Sequence, residues 1–210
     1  MAARPEPMQI ALFGATGGTG QQVLEQALAA GHNIKALVRD PTKLAARDGL
    51  TVIPGDVLDQ AATDACIAGT DAVICVLGTK PGNEPVEAAG TERILAAMAK
   101  HGVKRLIAVT SMGVGDSIDQ INLAFRVIMN LTLKRIMQAK AEQERRIMAS
   151  DTDWTIVRPG GLIDGPRTGA YRAGLDKAIK ATRVSRADVA DFVLKQLTDD
   201  GYIRQTPAVS

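Results

Sequence analysis

Aromatic side chains are scarce: three Phe, two Tyr and one Trp make up 3% of 210 residues. Without aromatics interleaved among basic residues, a stacking surface for single-stranded nucleic acid is not expected. Charge does not supply one either, because 25 Lys and Arg against 23 Asp and Glu leave a formal net charge of only +2. That balance also argues against a membrane surface as partner. No stretch approaches the ~18 apolar residues of a membrane span. The opening MAARPEP lacks the apolar core of a signal peptide, so a cytoplasmic location is expected. Cys66 and Cys75 stand alone in helical and strand-like stretches, and there are two histidines, His32 and His101. Isolated cysteines of this kind are small buried hydrophobes, and no metal set is expected. His32 and His101 both sit beside glycine at helix ends and read as surface structural residues.

What is present is glycine in one informative place. Met8–Val23 reads MQIALFGATGGTGQQV, with the apolar run Ile10–Phe13 stopping at Gly14. A buried parallel strand feeding a helix has this form. Gly14, Gly17 and Gly20 recur every third residue, and Gly18 adds room. Lacking Cβ atoms, they allow a tight turn, close approach of a phosphate and close packing of helix on strand. A helix starting near Thr19 would point its free N–H groups and positive dipole end at a pyrophosphate. A lone glycine triplet carries little weight, but here the strand before and the helix after are both present.

Beyond this unit the chain alternates. Strands are expected at Asn33–Val38, Leu50–Ile53, Asp71–Leu77, Arg105–Val109 and Trp154–Val157. Helices are expected at Gln21–Ala30, Pro41–Arg47, Ala61–Ala68, Val86–His101, across most of Leu123–Ser150, and at Ser185–Leu197 with Ser185 as N-cap. Strand–helix alternation without a linker or repeat predicts one α/β domain over residues 1–210, a doubly wound parallel sheet of Rossmann type. The segment 160–182 has no clear period and is the expected substrate lid.

In such sheets ligands bind beyond the carboxyl ends of the strands. The predicted cofactor site is therefore Gly14, Thr16, Gly17, Gly18, Thr19 and Gly20 after the first strand and Arg39 after the second. Asp56 and Val57 follow the third, Leu77, Gly78 and Thr79 the fourth, Thr110 and Ser111 the fifth, Pro159 and Gly160 the sixth. Arg39 stands where an NAD-binding unit places an acid to hold the ribose 2′-hydroxyl. A guanidinium matches a 2′-phosphate instead, which favours NADP, although Asp40 could serve as the acceptor for NAD. Asp56 could accept from the adenine amino group, or cap the following helix.

FGATGGTG, ALVRD, PGDV, VLGT, VTSMG and WTIVRPGGLIDGP, in this order over almost the whole chain, resemble the atypical short-chain dehydrogenase/reductases. Within these, Thr110-Ser111 together with Thr168–Tyr171 (TGAY) resembles the NADPH flavin reductase/biliverdin-IXβ reductase group. The resemblance implies NADPH-dependent reduction of free flavins such as FMN and riboflavin, or of biliverdin-type bilins, with flavin as substrate rather than prosthetic group. Two departures matter. The Tyr-x-x-x-Lys pair of ordinary short-chain dehydrogenases is here Ile136-x-x-x-Lys140, so the phenol is missing and alcohol or epimerase chemistry is disfavoured. The pocket histidines of the biliverdin-IXβ reductases are replaced, by Lys140 and by a glycine near Gly160-Gly161.

Hydride transfer to a flavin or bilin needs stacking and orientation more than a strong acid. Ser111 and Lys140 are the candidate catalytic residues. Ser111 would line the nicotinamide–substrate contact or, alternatively, cap its own turn. Lys140 would hold ribose hydroxyls or an anionic substrate group, or else stand exposed in the KAEQERR cluster. Arg158, Arg167 and Arg172 are further candidates for anionic groups. The apolar Leu123–Met137 stretch, with Leu123, Phe125, Val127, Ile128, Met129, Leu131, Leu133, Ile136 and Met137, would pack into the core, wall a flat ring, or form a dimer surface. A monomer or weak dimer acting on a small molecule is expected. A non-catalytic NADP(H)-sensing regulator and a quinone or small-carbonyl reductase are the alternatives.

Overall fold

The computed structural model describes residues 6–210, apart from the side chains of Ala124, Phe125, Ile128, Met129 and Asn130. Among the described residues the strands are β1 Gln9–Phe13, β2 Asn33–Val38, β3 Leu50–Pro54, β4 Ala72–Cys75, β5 Arg105–Val109, β6 Asp153–Pro159, β7 Gly161–Ile163, β8 Ala173–Gly174, β9 Arg183–Ser185 and β10 Ala208–Val209. The helices are α1 Gly18–Ala29, α2 Gln60–Ile67, α3 Glu87–His101, α4 Leu123–Thr132, α5 Lys134–Met148 and α6 Arg186–Lys195.

Eight strands form one sheet in the order β3-β2-β1-β4-β5-β6-β10-β8, and β7 pairs with β9 separately. The pairings from β3 to β10 are parallel, and only β8 runs antiparallel to its neighbour. The chain starts in the middle and works outward both ways, so the strand order reverses at β1–β4. Ligand crevices in open α/β sheets lie at that reversal.

Alternation along the strands feeds two cores. Ile10 and Leu12 turn toward Val23, Leu24 and Ala27 of α1 and Val189 and Val193 of α6. Ala11 and Phe13 turn the other way, toward Ile67, Ile94, Met98 and Ile147 on α2, α3 and α5. All four β1 side chains are at most 1% exposed, as the continuous apolar run requires of a strand covered on both faces.

The structure departs from the sequence expectations in several places. Pro41–Arg47 gives only a 3-10 turn at Pro41–Lys43, where Asp40 accepts from the Thr42 amide and nothing apolar beyond Leu44 holds a longer helix. Leu123–Ser150 is two helices, broken at Leu133. The four strands β7–β10 carry no sequence signal because each is two or three residues long. His32 is not a surface residue: it is 5% exposed and its Nδ1 accepts from the Met8 amide. Cys66 and Cys75 are buried and unpaired, as expected, and burial pushes the Cys66 thiol up to about 12. No described helix is long and apolar enough to cross a membrane.

The segment 160–182 is tied down along much of its length. Gly161 and Thr182 are joined by a backbone hydrogen bond, and Arg172 exchanges two with Ser210. Asp188 accepts from Thr168 N at 2.7 Å, Gly169 N at 2.9 Å and Thr168 Oγ1 at 2.8 Å. The Tyr171 hydroxyl donates to Asp191. TGAY thus anchors the segment to α6.

Candidate functional site

The turn from β1 into α1 is built by two contacts that admit no side chain. Gly14 has φ +88°, and a Cβ there would lie 2.4 Å from the Val76 carbonyl oxygen. A Cβ on Gly20 would lie 2.0 Å from the Gly14 carbonyl oxygen. Helix α1 therefore begins flush against the strand end, and Gly17 closes the turn by donating to Gly14 O at 3.0 Å. Gly17 is the N-cap and offers no side-chain acceptor, so the first amides of α1 have no side-chain partner. Thr16, Gly17 and Gly18 are exposed, whereas Thr19 is buried. A cradle shaped by missing Cβ atoms, with uncapped amides at its rim, fits a pyrophosphate.

At the end of β2, Arg39 is exposed. One oxygen of Asp40 is engaged locally: its Oδ1 accepts from Thr42 N at 3.1 Å and Thr42 Oγ1 at 2.6 Å, which hold its carboxyl below the usual range. After β3, Asp56 Oδ1 accepts from Leu58 N at 2.9 Å, while Asp59, not Asp56, is the N-cap of α2. Val57 is buried and touches the space a Cβ on Gly90 would need, so α3 sits close to this strand end.

The donors of Thr79 are both taken by Glu87. Thr79 N reaches Glu87 Oε1 and Thr79 Oγ1 reaches Glu87 Oε2, each at 2.9 Å, with the acid fully buried. Leu77 is half-buried and Gly78 exposed beside it. Thr110 is likewise committed, donating its hydroxyl to Glu144 Oε1 at 2.6 Å. Ser111 is half-buried and its Oγ donates to the Met112 carbonyl at 3.0 Å, a bond within its own turn that a substrate could replace. Pro159 O accepts from Met112 N, and Gly160 is packed against the Thr182 carbonyl, so both shape the end of β6.

Lys140 is not the exposed lysine of a charged cluster. It is half-buried and makes no ion pair among the described residues. Burial pushes its pKa below the lysine value of 10.5, with Glu87, Cys75 and Glu144 pulling the other way. Glu144 lies one helical turn beyond it on α5, and Gln143 bonds Thr91 behind it. Arg158, expected to meet an anionic substrate, is instead a buried structural cation. Its Nε and Nη2 donate to Glu144 at 3.0 and 2.6 Å, its Nη1 to Asp116 at 2.6 Å, and its side chain is 4% exposed. Burial works against its charge, but these carboxylates more than offset that and raise its pKa. Arg167 stays exposed beside Asp191, and Arg172 is exposed at the sheet edge.

A cavity of about 160 Å³ lies between Arg158, Asp116, Gln120, Lys177, Gln205 and Thr206. It is smaller than the ~300 Å³ at which small-molecule pockets begin, so a flat tricyclic or tetrapyrrole ring does not fit inside it. On α4, Leu123 is 74%, Val127 50% and Leu131 80% exposed, one face at i, i+4 and i+8. These three are not packed into the core. Phe125, Ile128 and Met129 of the same expectation lie outside the described side chains. Sequence reasoning missed the two buried acids, Glu87 and Glu144, whose positions in ordinary helical patterns give no sign of burial.

This geometry has counterparts. A family described as NAD(P)H-binding matches residues 14–200, and the chain belongs to it. The chain is 32% identical over 204 residues to an uncharacterized chloroplastic protein of Arabidopsis thaliana, covering 91% of this chain and 72% of that one. It is 30% identical over 209 residues to the (4-alkanoyl-5-oxo-2,5-dihydrofuran-3-yl)methyl phosphate reductase of Streptomyces griseus, covering 96% of this chain and 67% of that enzyme. Among solved structures, an anaerobilin reductase from Escherichia coli O157:H7 superposes with a TM-score of 0.80 at 26% identity over 96% of each chain. The protein is thus of the NAD(P)H-dependent oxidoreductase family, with an atypical short-chain dehydrogenase/reductase fold and reductases among its neighbours.

Proposed function

We propose that the protein is an NADPH-dependent reductase that passes hydride to free flavins or biliverdin-type bilins. The observation that carries the cofactor half is the division of labour after β2: Asp40 is turned into its own 3-10 turn, leaving the Arg39 guanidinium exposed. One Asp40 oxygen is thus already engaged by Thr42, while a 2′-phosphate would meet a bidentate donor in Arg39. NADPH held along the β1–α1 cradle would supply the hydride from its nicotinamide ring. Val57, Leu77 and Gly78 would line the path of the nucleotide, with Asp56 Oδ2 toward the adenine amino group.

The substrate half rests on chemistry that the site lacks as well as on what it holds. Ile136 leaves no phenol to protonate an alkoxide, so acceptors whose rings delocalise the incoming charge are favoured. Ser111 would turn its hydroxyl from Met112 O to the carboxamide or the substrate. Lys140, half-buried within the influence of Glu87, would hold ribose hydroxyls and donate a proton. The exposed Leu123, Val127 and Leu131 would offer a flat ring an apolar wall, with 160–182 as a cover. The similarity to an anaerobilin reductase is consistent with this class.

The test is NADPH oxidation followed at 340 nm with FMN, riboflavin, biliverdin and a quinone as separate acceptors, and NADH in parallel. Turnover with a flavin or bilin, faster with NADPH than NADH, is expected. Turnover confined to the quinone would move the assignment to a quinone reductase. Binding without turnover on any acceptor would make the protein a nucleotide-sensing regulator.

A further inference from the structure

The room left by Gly18 is filled by Arg186. A Cβ on Gly18 would lie 2.8 Å from Arg186 Cδ and Nε and 3.6 Å from Cζ, so the guanidinium rests on the first residue of α1. Its position is fixed from behind. Arg186 opens α6, whose start is capped by Ser185 accepting from Asp188 N, and Gln26 Nε2 of α1 donates to the Ala187 carbonyl at 2.9 Å. A cation at this place is unfavourable on its own account, because the N-terminus of α1 already carries the positive end of the helix dipole. Its counter-ion is Asp164, joined at 2.8 Å and itself 94% exposed. An ion pair so open to water contributes little and is readily exchanged.

A guanidinium held by packing beside uncapped amides, against its own electrostatic interest, is arranged for an anion that bridges the two. We infer that Arg186 is a cofactor-binding residue: it grips the pyrophosphate from the α6 side, opposite the α1 amides, and gives up Asp164 to do so. This deepens the NADPH reading and rests on it. It also gives Gly18 a role beyond the glycine triplet, since any side chain there would displace the arginine.

The pyrophosphate is common to NADPH and NADH, whereas Arg39 would meet only the 2′-phosphate. Equilibrium binding to Arg186→Ala, Arg186→Lys and Asp164→Asn, with NADPH, NADH and 2′-AMP as probes, separates the roles. Arg186→Ala should weaken NADPH and NADH by the same factor, about tenfold or more, and leave 2′-AMP unchanged. Arg186→Lys should recover part of the loss, and Asp164→Asn should keep or tighten binding. The melting temperature of Arg186→Ala should hold or rise, since a charge facing the helix dipole is removed. A loss confined to NADPH, a change below twofold, or an equal loss in Asp164→Asn would overturn the inference. Failure of the unsubstituted protein to bind either dinucleotide would instead overturn the NADPH reading itself.

Discussion

Replacing Glu144 with Gln isolates one buried charge. Glu144 is 2% exposed and holds three donors: Thr110 Oγ1 at 2.6 Å, Arg158 Nε at 3.0 Å and Arg158 Nη2 at 2.6 Å. The amide keeps the shape but removes the negative charge, leaving the Arg158 guanidinium inside with Asp116 as its remaining carboxylate. Asp116 cannot substitute, since its side chain is 63% exposed and screened by water. Breaking a buried pair from one side costs about 3–5 kcal/mol. For a chain of this size that is a fall in melting temperature of roughly 6–20 °C, at about 2–4 °C per kcal/mol. Urea denaturation at neutral pH, read by circular dichroism, gives the free energy directly. The double variant Glu144→Leu, Arg158→Met removes both charges, and it should lose less than Glu144→Gln alone. A loss below about 1 kcal/mol for Glu144→Gln, or a double variant less stable than the single, would refute Arg158 as a structural cation. It would restore Arg158 as a candidate for binding an anionic substrate.

Other expectations follow from the same geometry. Arg39→Ala should weaken NADPH by about ten- to a hundredfold, the worth of a charge-assisted hydrogen bond, and leave NADH unchanged, as measured by titration calorimetry. Ser111→Ala should lower kcat more than it weakens NADPH; unchanged turnover would remove Ser111 from the mechanism. If Lys140 donates the proton, turnover falls as pH rises through its burial-lowered pKa, and Lys140→Met abolishes that alkaline limb of the pH–rate profile. His32 is held neutral, its pKa lowered from 6.5 by burial, so the unfolded chain takes up a proton more readily. Its contribution to stability is complete above about pH 6.5 and is lost as pH falls below it, at up to ~1.4 kcal/mol per pH unit. His32→Gln should flatten that part of a stability–pH curve.

The legible parts of the sequence were those in which one residue type answers one backbone demand. Ile10–Phe13 is apolar at every position because β1 is covered on both faces, and Gly14 and Gly20 lack Cβ atoms because none fits. Ser185 announces the start of α6 as its N-cap. What was not legible depends on partners distant in the chain. Arg158 looks like a surface arginine until β6 and α5 bring Glu144 to it, and His32 looks exposed until Met8 covers it. Arg186 is one basic residue among many until α6 lays it on Gly18. The edge strand β8 and its neighbour β10 are too short for any period, and their pairing is set by the sheet they join. Asp40 shows the same limit in a local setting: from sequence it competes with Arg39 for the ribose, and its hydrogen bonds to Thr42 are not visible there.

The claim most worth testing is that hydride leaves NADPH within this site for a flavin or a bilin. Stopped-flow mixing of the NADPH-loaded protein with FMN or biliverdin, without oxygen, isolates that step. NADPH deuterated on one or the other face of nicotinamide C4 then reports its geometry. Hydride transfer in this site predicts oxidation that slows with deuterium on one face and is unchanged with deuterium on the other. NADPH that binds but is not oxidised by either acceptor would contradict it.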